Sequence, residues 1–236
     1  MGAEPDRITI DGDIDVTVRR SPRARRMTLR VARAGGAVVL TLPRAVSMAE
    51  GRAFAQSRAD WLRKTRATMP QRTVARFGAA LPYAGKRIVL TPAETKLVRL
   101  DGERLLMPAH RPAGVVSAAW LKHIARQKLA RAADRYAARL GLSYRALTLR
   151  DTRSRWGSCT HDGRLMFSWR LAMAPEEVLD YVAAHEVAHL RHMDHSAAFW
   201  ACCEALMPGH SVHRRWLKQH GHELLAWVFV EDAGFD

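Results

Sequence analysis

The amino-acid sequence predicts an α+β fold, in which a small β-rich N-terminal module precedes a domain of mixed helices and strands. Three observations favour this fold. Short apolar or alternating segments fill residues 1–112, a long helical pattern follows Pro112, and a second, well-capped helix carries the stretch "AAHEVAHLRHMDHSAAFW". The 236 residues are 48% hydrophobic, which is enough for one large core or two small ones. We therefore expect two domains, 1–112 and 113–236.

The N-terminal module begins with four predicted strands, which are the segments "RITI", "IDVTVRR", "RMTLRVAR" and "AVVLTLP". The glycine pair Gly35-Gly36 marks a turn before the last of them. Ser47 and Glu50 have the spacing of a capping box, which predicts a helix over "GRAFAQSRADWLRKTRA". The next segment, "MPQRTVARFGAALPYAGK", reads as a loop, and three further strands follow in "RIVLTP", "KLVRLDG" and "RLLMPA".

The second domain opens with a long predicted helix, "VVSAAWLKHIARQKLARAADRYAARLGL", for which Gly141 is a suitable C-terminal cap. A strand, "ALTLR", comes next. A hairpin with its turn at Asp162-Gly163 leads into a strand in which Leu165 to Leu171 alternate between two faces. Pro175 is suited to the start of the next helix.

Two more helices are predicted after the histidine-rich stretch. Ser196 can cap "AAFWACCEALM", which Pro208-Gly209 ends. Ser211 can cap "VHRRWLKQH", and Gly221 is expected to end that helix.

Composition limits the class of protein. No apolar run approaches the length of a membrane span, and the N-terminus is polar and acidic, unlike a signal peptide, so we expect a cytoplasmic protein without membrane contact. The three cysteines form no Cys-x-x-Cys pair and favour reduced thiols over disulfides. The net charge of +15 permits contact with nucleotides or nucleic acid, although arginines dispersed along the chain also suit an ordinary solvated surface.

The pattern His-Glu-x-x-His in "HEVAH" predicts a metal site. Residues four apart share one helix face, so His185 and His189 can bind one zinc ion. Glu186, which follows the first histidine directly, can take a proton from water that the zinc ion activates.

A hydrolytic zinc site needs a third protein ligand, and we favour His195. His192 lies about 10 Å from His185 along an unbroken helix, too far to converge on one ion. His195 lies six residues beyond His189, the spacing of metzincins, which have glycine where this chain has His192. An Asx-type bond from Asp194 can make the required turn.

Other side chains near the motif are also candidates for the third ligand. Glu204 is the alternative, because another branch of zincins takes a glutamate from a following helix. His192 and Asp194 are expected instead to support the ligands or to lie on the surface.

The sequence resembles the YgjP-like branch of the SprT-like zinc metallopeptidases. The resemblance is carried by "RDTRSRWGSC" and "LMFSWRLAMAPEEVLDYVAAHEVAHLRHMDHSAAFW", and more weakly by "RSPRARRMTLRV" and "ADWLRK". It implies an N-terminal β module, a zincin-like C-terminal domain, zinc bound by His185, His189 and His195, and Glu186 as the base. By analogy with zincins, the strand from Leu165 to Leu171 would lie along the cleft and pair with an extended peptide.

The segment "RSRWGSC" contains a polar cluster of Arg153, Arg155 and Trp156. This cluster is interpreted either as a cleft wall that binds substrate or stabilises an oxyanion, or as a buried brace of the domain. Ser158 and Cys159 are weak candidates for a nucleophile, since no activating partner is identifiable.

The leading prediction is a zinc-dependent metallopeptidase with Glu186 as general base. An alternative is a metal-dependent nucleotide pyrophosphatase, in which arginines near the site clamp phosphates; the candidates are Arg150, Arg153, Arg155 and Arg170. A protease associated with DNA is a third interpretation, because SprT-like relatives include proteases that act on protein attached to DNA. A module that only binds is the weakest, since a structural zinc site is normally closed by four protein ligands.

Overall fold

The structure is a computed structural model, and it describes residues 6–32 and 36–229. Its contacts divide the chain into two compact units, Met1–Arg72 and Thr73–Asp236. This division falls about forty residues before the boundary expected from the sequence, 112. The reason is that apolar residues of the strands after Thr73, such as Leu90 and Leu105, belong to the hydrophobic core of the second unit.

The first unit contains a four-stranded sheet. Its strands are β1 (Arg7–Ile10), β2 (Ile14–Ser21), β3 (Thr28–Val31) and β4 (Val38–Pro43). They are arranged in the order β1-β2-β4-β3, with β2 and β4 parallel and the other pairs antiparallel. Ile14, Val16 and Val18 alternate with more exposed residues, so β2 turns one face to the core. The four strands predicted here are confirmed; Gly35 lies outside the described residues.

The helix predicted after β4 is present as two helices, α1 (Met48–Gln56) and α2 (Ala59–Ala67). The predicted capping box is confirmed, because Ser47 and Glu50 bond reciprocally at the start of α1. The prediction of a single helix was wrong. The Ser57 hydroxyl donates to the Phe54 carbonyl, and this local bond competes with continuation of the helix.

The second unit contains another four-stranded sheet. Its strands are β6 (Ala80–Tyr83), β7 (Lys86–Ala93), β8 (Arg99–Asp101) and β9 (Arg104–Pro108), in the order β6-β7-β9-β8. The segment interpreted as a loop therefore contains β6, and it also contains β5 (Thr73–Val74), which pairs with β13 (Trp227–Val228). Sequence patterns missed β5 because its partner strand lies at the far end of the chain.

The long helix α3 (Ala113–Leu140) confirms the predicted element. Gly141 ends it in the left-handed conformation, with φ of 66°. The buried stripe of α3 includes Leu121 and Leu129, and these residues pack into the core that also receives the helix carrying the histidines.

A three-stranded sheet positions the candidate site. It consists of β10 (Ala146–Arg150), β11 (Gly157–Cys159) and β12 (Arg164–Ser168), in the order β10-β12-β11. Strands β11 and β12 form the predicted hairpin, whose turn places Gly163 at φ of 74°. The strand expected to run to Leu171 ends at Ser168, and a 3-10 turn, Trp169–Met173, follows it.

Further helices in the described part of the second unit are α4 (Glu176–Ala188), α5 (Ala197–Leu206) and α6 (Ser211–Leu225). Ser196 caps α5 as predicted. Helix α6 continues through Gly221 instead of ending there, and Gly221 is buried.

None of the helices in the described part of the chain is both long and apolar enough to cross a membrane. The three cysteines, Cys159, Cys202 and Cys203, are free thiols, as the sequence predicted.

Candidate metal centre

Helix α4 carries the first two histidines. His185 lies in its last turn and His189 is its C-terminal cap residue, so both side chains project from one face. Together with His195 they form a group that can hold a metal ion, in which one ligand atom from each residue lies within 4.8 Å of the others.

His195 reaches the group because the chain turns after α4. The Asp194 carboxylate accepts a hydrogen bond from the Ser196 backbone N–H at 3.2 Å, which is the Asx-type bond expected from the sequence. This turn places His195 Nε2 3.1 Å from His185 Nε2.

Glu204, the alternative third ligand, faces a different partner. Its carboxylate accepts a hydrogen bond from the Gly209 backbone N–H at 2.9 Å, and its second oxygen lies 3.5 Å from His210 Nε2. Glu204 therefore stabilises the turn after α5, and it is not part of the three-histidine group.

A backbone carbonyl orients the His189 ring. His189 Nδ1 lies 2.9 Å from the His192 carbonyl oxygen, which favours the tautomer that donates from Nδ1. The other ring nitrogen, Nε2, is then left as an acceptor for a metal ion. His192 thus supports the group through its backbone, while Asp194 forms the turn.

Phe199, which the sequence analysis missed, forms an aromatic floor under the group. Its ring centroid lies 4.9 Å from that of His185, 4.4 Å from that of His189 and 4.8 Å from that of His195. Phe199 is fully buried in α5, so it restricts all three imidazole rings. The sequence signal that could have identified Phe199 was its position three residues after the Ser196 cap.

The histidines of α4 are held in the neutral form. Burial, together with the charges of His189 and His195, lowers the pKa of His185 to about 3. Burial is also the main cause that lowers the pKa of His189. Metal ligation requires neutral imidazole, so these environments favour binding of a cation.

One nitrogen–nitrogen separation in the group matches that of a tetrahedral site. Zinc–nitrogen bonds of about 2.0–2.1 Å place neighbouring nitrogens about 3.3 Å apart in a tetrahedron. The 3.1 Å between His185 Nε2 and His195 Nε2 is close to this separation. Three imidazoles suit zinc and other late transition metals better than magnesium or calcium, which prefer oxygen ligands.

Glu186 lies in a closely packed environment beside the histidines. It is only 5% exposed, and burial raises its pKa to about 8, although the positive charge of Arg155 opposes this shift. A bound divalent cation would also favour the carboxylate.

Gly157, which the sequence analysis also missed, packs directly against Glu186. A Cβ atom added at Gly157 would lie 2.6 Å from Glu186 Cγ and 2.7 Å from Glu186 Cδ. Strand β11 therefore lies so close to Glu186 that only glycine fits at position 157. The sequence offered a glycine in "RWGSC" but no indication of the side chain that it faces.

The structure separates the members of the "RSRWGSC" cluster. Arg153 and Arg155 are exposed, whereas Trp156 is half-buried. A Cβ atom added at Gly221 would lie 2.8 Å from Trp156 Cζ2, so the indole packs tightly on α6. This contact favours the interpretation of Trp156 as a brace of the domain over its interpretation as a cleft wall.

Arg170 is buried and fully engaged. Its guanidinium binds both oxygens of Asp151, at 2.6 and 3.1 Å, and donates at 2.9 Å to the carbonyl oxygens of Leu224 and Trp227. The side chain ties the 3-10 turn to the end of α6 and is not free to clamp a phosphate.

Cys159 is not poised as a nucleophile. Burial raises the pKa of its thiol to about 11, with Glu186 and Asp162 adding negative charge nearby. The protonated thiol is the less reactive form at neutral pH.

Comparison with known families identifies the chain. The model of the YgjP-like metallopeptidase domain matches residues 25–220, most of the sequence. The chain belongs to the YgjP-like family. Membership of this metallopeptidase family implies a metal ion and a peptide or protein substrate, and the three-histidine group is able to hold such an ion.

Individual proteins add little to this family assignment. The crystal structure of the metallopeptidase zymogen of Pyrococcus abyssi abylysin is similar to 40% of this chain and 93% of its own, with 22% identity and a TM-score of 0.34. No curated protein matches the chain significantly.

Proposed function

We propose that this YgjP-like protein is a zinc-dependent peptidase with a zincin-like catalytic domain, in which His185, His189 and His195 bind the metal. The convergence of these three side chains within 4.8 Å carries the proposal. A structural zinc site is normally closed by four protein ligands, so three leave one position for water or substrate.

Glu186 is the proposed general base. A zinc ion held by the three histidines would supply Lewis acidity, which makes water more acidic and polarises the peptide carbonyl. Glu186 then takes a proton from the attacking water and delivers it to the leaving amine nitrogen. The contact with Gly157 restricts the rotation of the Glu186 side chain and so supports this orientation.

The strand that accepts substrate is proposed to be β11, which corrects the expectation for the Leu165–Leu171 segment. Strand β12 pairs with β10 on one side and with β11 on the other, so its backbone groups are already used. Among the described strands, β11 forms one edge of the sheet, with β10 at the other.

The register of β11 favours peptide pairing at that edge. Trp156 and Thr160 form backbone hydrogen bonds toward β12, to Ser168 and Arg164 respectively. In an antiparallel ladder such bonds alternate, so the N–H and C=O groups of Gly157 point to the free edge. An extended peptide added there would pass beside Glu186.

The nucleotide pyrophosphatase interpretation loses one of its four arginines, because the contacts of Arg170 hold that side chain in the core. The family match favours a peptide substrate, and nothing in it supports nucleic-acid binding. Peptide hydrolysis is therefore the proposal that we retain.

The test combines metal content with turnover. Purified protein should contain about one zinc per chain and cleave a casein-type substrate, while Glu186→Gln should keep the zinc and lose cleavage. Glu177→Gln, an exposed acid in the first turn of the same helix, is the matched control and should remain active. A panel of nucleoside triphosphates measured on the same samples covers the alternative. Release of pyrophosphate that depends on Glu186, without peptide cleavage, would overturn the proposal.

A further inference from the structure

A basic groove lies on the outer face of the three-stranded sheet. It has a volume of about 550 Å³, and its lining includes Arg150, Arg155 and Arg164 together with five serine or threonine side chains. None of the lining residues is acidic. The groove is therefore lined by hydrogen-bond donors and positive charge.

The alternation of the strands separates this groove from the metal centre. Ser158 lines the groove, whereas the position of Gly157, its neighbour in β11, faces Glu186 on the other side of the sheet. On β12, Met166 likewise lines the groove and Phe167 is buried in the core.

Two of the three arginines are free to bind a ligand. Arg164 is paired with Asp162 at 2.7 Å, and Asp162 also binds Arg145. Arg150 and Arg155 form no salt bridge with a carboxylate among the residues that the structure describes. Both guanidinium groups therefore remain available at one end of the groove.

This basic end lies beside the proposed catalytic edge. Arg150 is in register with Ser168 on β12, which is bonded in turn to Trp156, the neighbour of Arg155. Arg150 and Trp156 therefore lie on either side of β12, and two inter-strand spacings, roughly 10 Å, separate their backbones.

We propose that this groove binds an acidic segment of the peptide substrate. Arg155, just before β11, and Arg150, across the sheet at the end of β10, would bind its carboxylates. The inference rests on the proposed peptidase function and specifies its substrate class. Guanidinium groups bind carboxylates through charge-assisted and often bidentate hydrogen bonds. Nucleic acid is the less suitable occupant, because its binding relies on many phosphate contacts, whereas two free arginines match one or two carboxylates.

The first arm of the test measures cleavage. A casein peptide cleaved by the zinc-loaded protein is resynthesised with Glu, Gln or Lys at the positions flanking the scissile bond. We expect kcat/KM to be about tenfold higher for the Glu peptide than for the Gln peptide, the effect of one charge-assisted hydrogen bond, and lower still for Lys. Added salt should reduce the difference.

Matched variants locate the preference. Arg150→Gln combined with Arg155→Gln should bring the ratio of kcat/KM for the Glu and Lys peptides close to one. Arg99→Gln combined with Arg104→Gln removes the same charge from exposed positions on β8 and β9, and it should preserve the ratio. A ratio that survives loss of Arg150 and Arg155, or a wild-type protein without preference for Glu, would overturn the inference while leaving the peptidase intact.

The second arm measures binding without turnover. Fluorescence anisotropy compares the labelled Glu, Gln and Lys peptides on zinc-loaded Glu186→Gln protein, and the same arginine variants are tested. Tighter binding of the Glu peptide that depends on Arg150 and Arg155 is expected. Equal affinities, or displacement of the Glu peptide by a tighter-binding single-stranded oligonucleotide, would contradict the proposal. Failure of the wild-type protein to cleave any peptide would refute the proposed function separately, and the binding result would still decide the inference.

Discussion

At the scale of single residues, the contact between Gly157 and Glu186 connects backbone geometry to the proposed catalysis. The acid is buried under β11, and any side chain at position 157 would overlap it. The glycine is therefore required for the position of the carboxylate and not for a turn, since it lies within a regular strand. Small displacements of a catalytic group have large effects on rate.

We expect Gly157→Ala to lower kcat by roughly 100-fold, because the added methyl group displaces the Glu186 carboxylate by about 1 Å. Zinc content should not change, since the three histidines are untouched. The measurement is steady-state kinetics on the casein peptide with zinc determined on the same sample.

A double-mutant cycle provides the control. In a Glu186→Asp background the shorter acid leaves room for the methyl group, so Gly157→Ala should lower kcat by only about threefold. Equal effects of Gly157→Ala in the two backgrounds would show that it acts elsewhere than on the acid.

The third histidine gives another prediction at this scale. His195→Ala should lose the metal, because two histidines and solvent bind zinc much more weakly than three histidines. Glu204→Ala should retain about one zinc per chain, since Glu204 bonds the turn at Gly209. Metal analysis after dialysis measures both variants. Retention of zinc by His195→Ala and its loss from Glu204→Ala would move the third ligand to α5.

At the scale of secondary-structure elements, Arg170 joins the 3-10 turn to the end of α6. Its guanidinium satisfies two carbonyl groups, at Leu224 and Trp227, and neutralises the charge of Asp151. It also lies over the rings of Trp169, at 4.9 Å, and Phe229, at 5.3 Å. The buried Arg170 side chain thus connects the 3-10 turn, which precedes α4 in the chain, with the end of α6, which follows it.

Arg170→Met is expected to lower the free energy of unfolding by about 3 kcal/mol, because it leaves buried carbonyl groups and Asp151 without their partner. Urea denaturation of the metal-free protein measures this loss without interference from zinc binding. The exposed Arg150→Met is the control and should change stability by less than about 0.5 kcal/mol. Equal stabilities of the two variants would argue against a structural role for Arg170.

At the scale of the whole molecule, the residues that the structure describes form two hydrophobic cores. One consists of residues from the first sheet and helices α1 and α2, such as Leu40 and Leu62. The other includes Leu90 and Leu105 from the β6–β9 sheet together with residues of α3 and α4. A compact unit with a core of its own is able to fold independently.

Truncation tests where the second domain begins. We expect a fragment of residues 73–236 to unfold cooperatively and to bind zinc, whereas a fragment of residues 113–236 should not, because it lacks the apolar residues contributed by β6–β9. Circular dichroism during thermal unfolding and zinc content measure both properties. A stable, zinc-binding 113–236 fragment would favour the boundary expected from the sequence.

The sequence by itself predicted the features that depend on local geometry. Helical periodicity places His185 and His189 on one face, and a capping signal predicts the start of α5 after the turn. The segment "HMD" is long enough for the chain to turn and return His195 to the other two histidines. The four N-terminal strands and the long helix α3 were predictable for the same reason, since their hydrogen bonds or alternation repeat over neighbouring residues.

Tertiary structure decided the rest. The proximity of Gly157 to Glu186, the contact of Phe199 with His185 and the burial of Arg170 each join residues more than ten positions apart. The order β10-β12-β11 places β12 in the centre and makes β11 an edge strand, which the hairpin pattern could not reveal. Such contacts depend on how distant segments pack, and a single sequence carries local periodicity but no direct signal of long-range pairing.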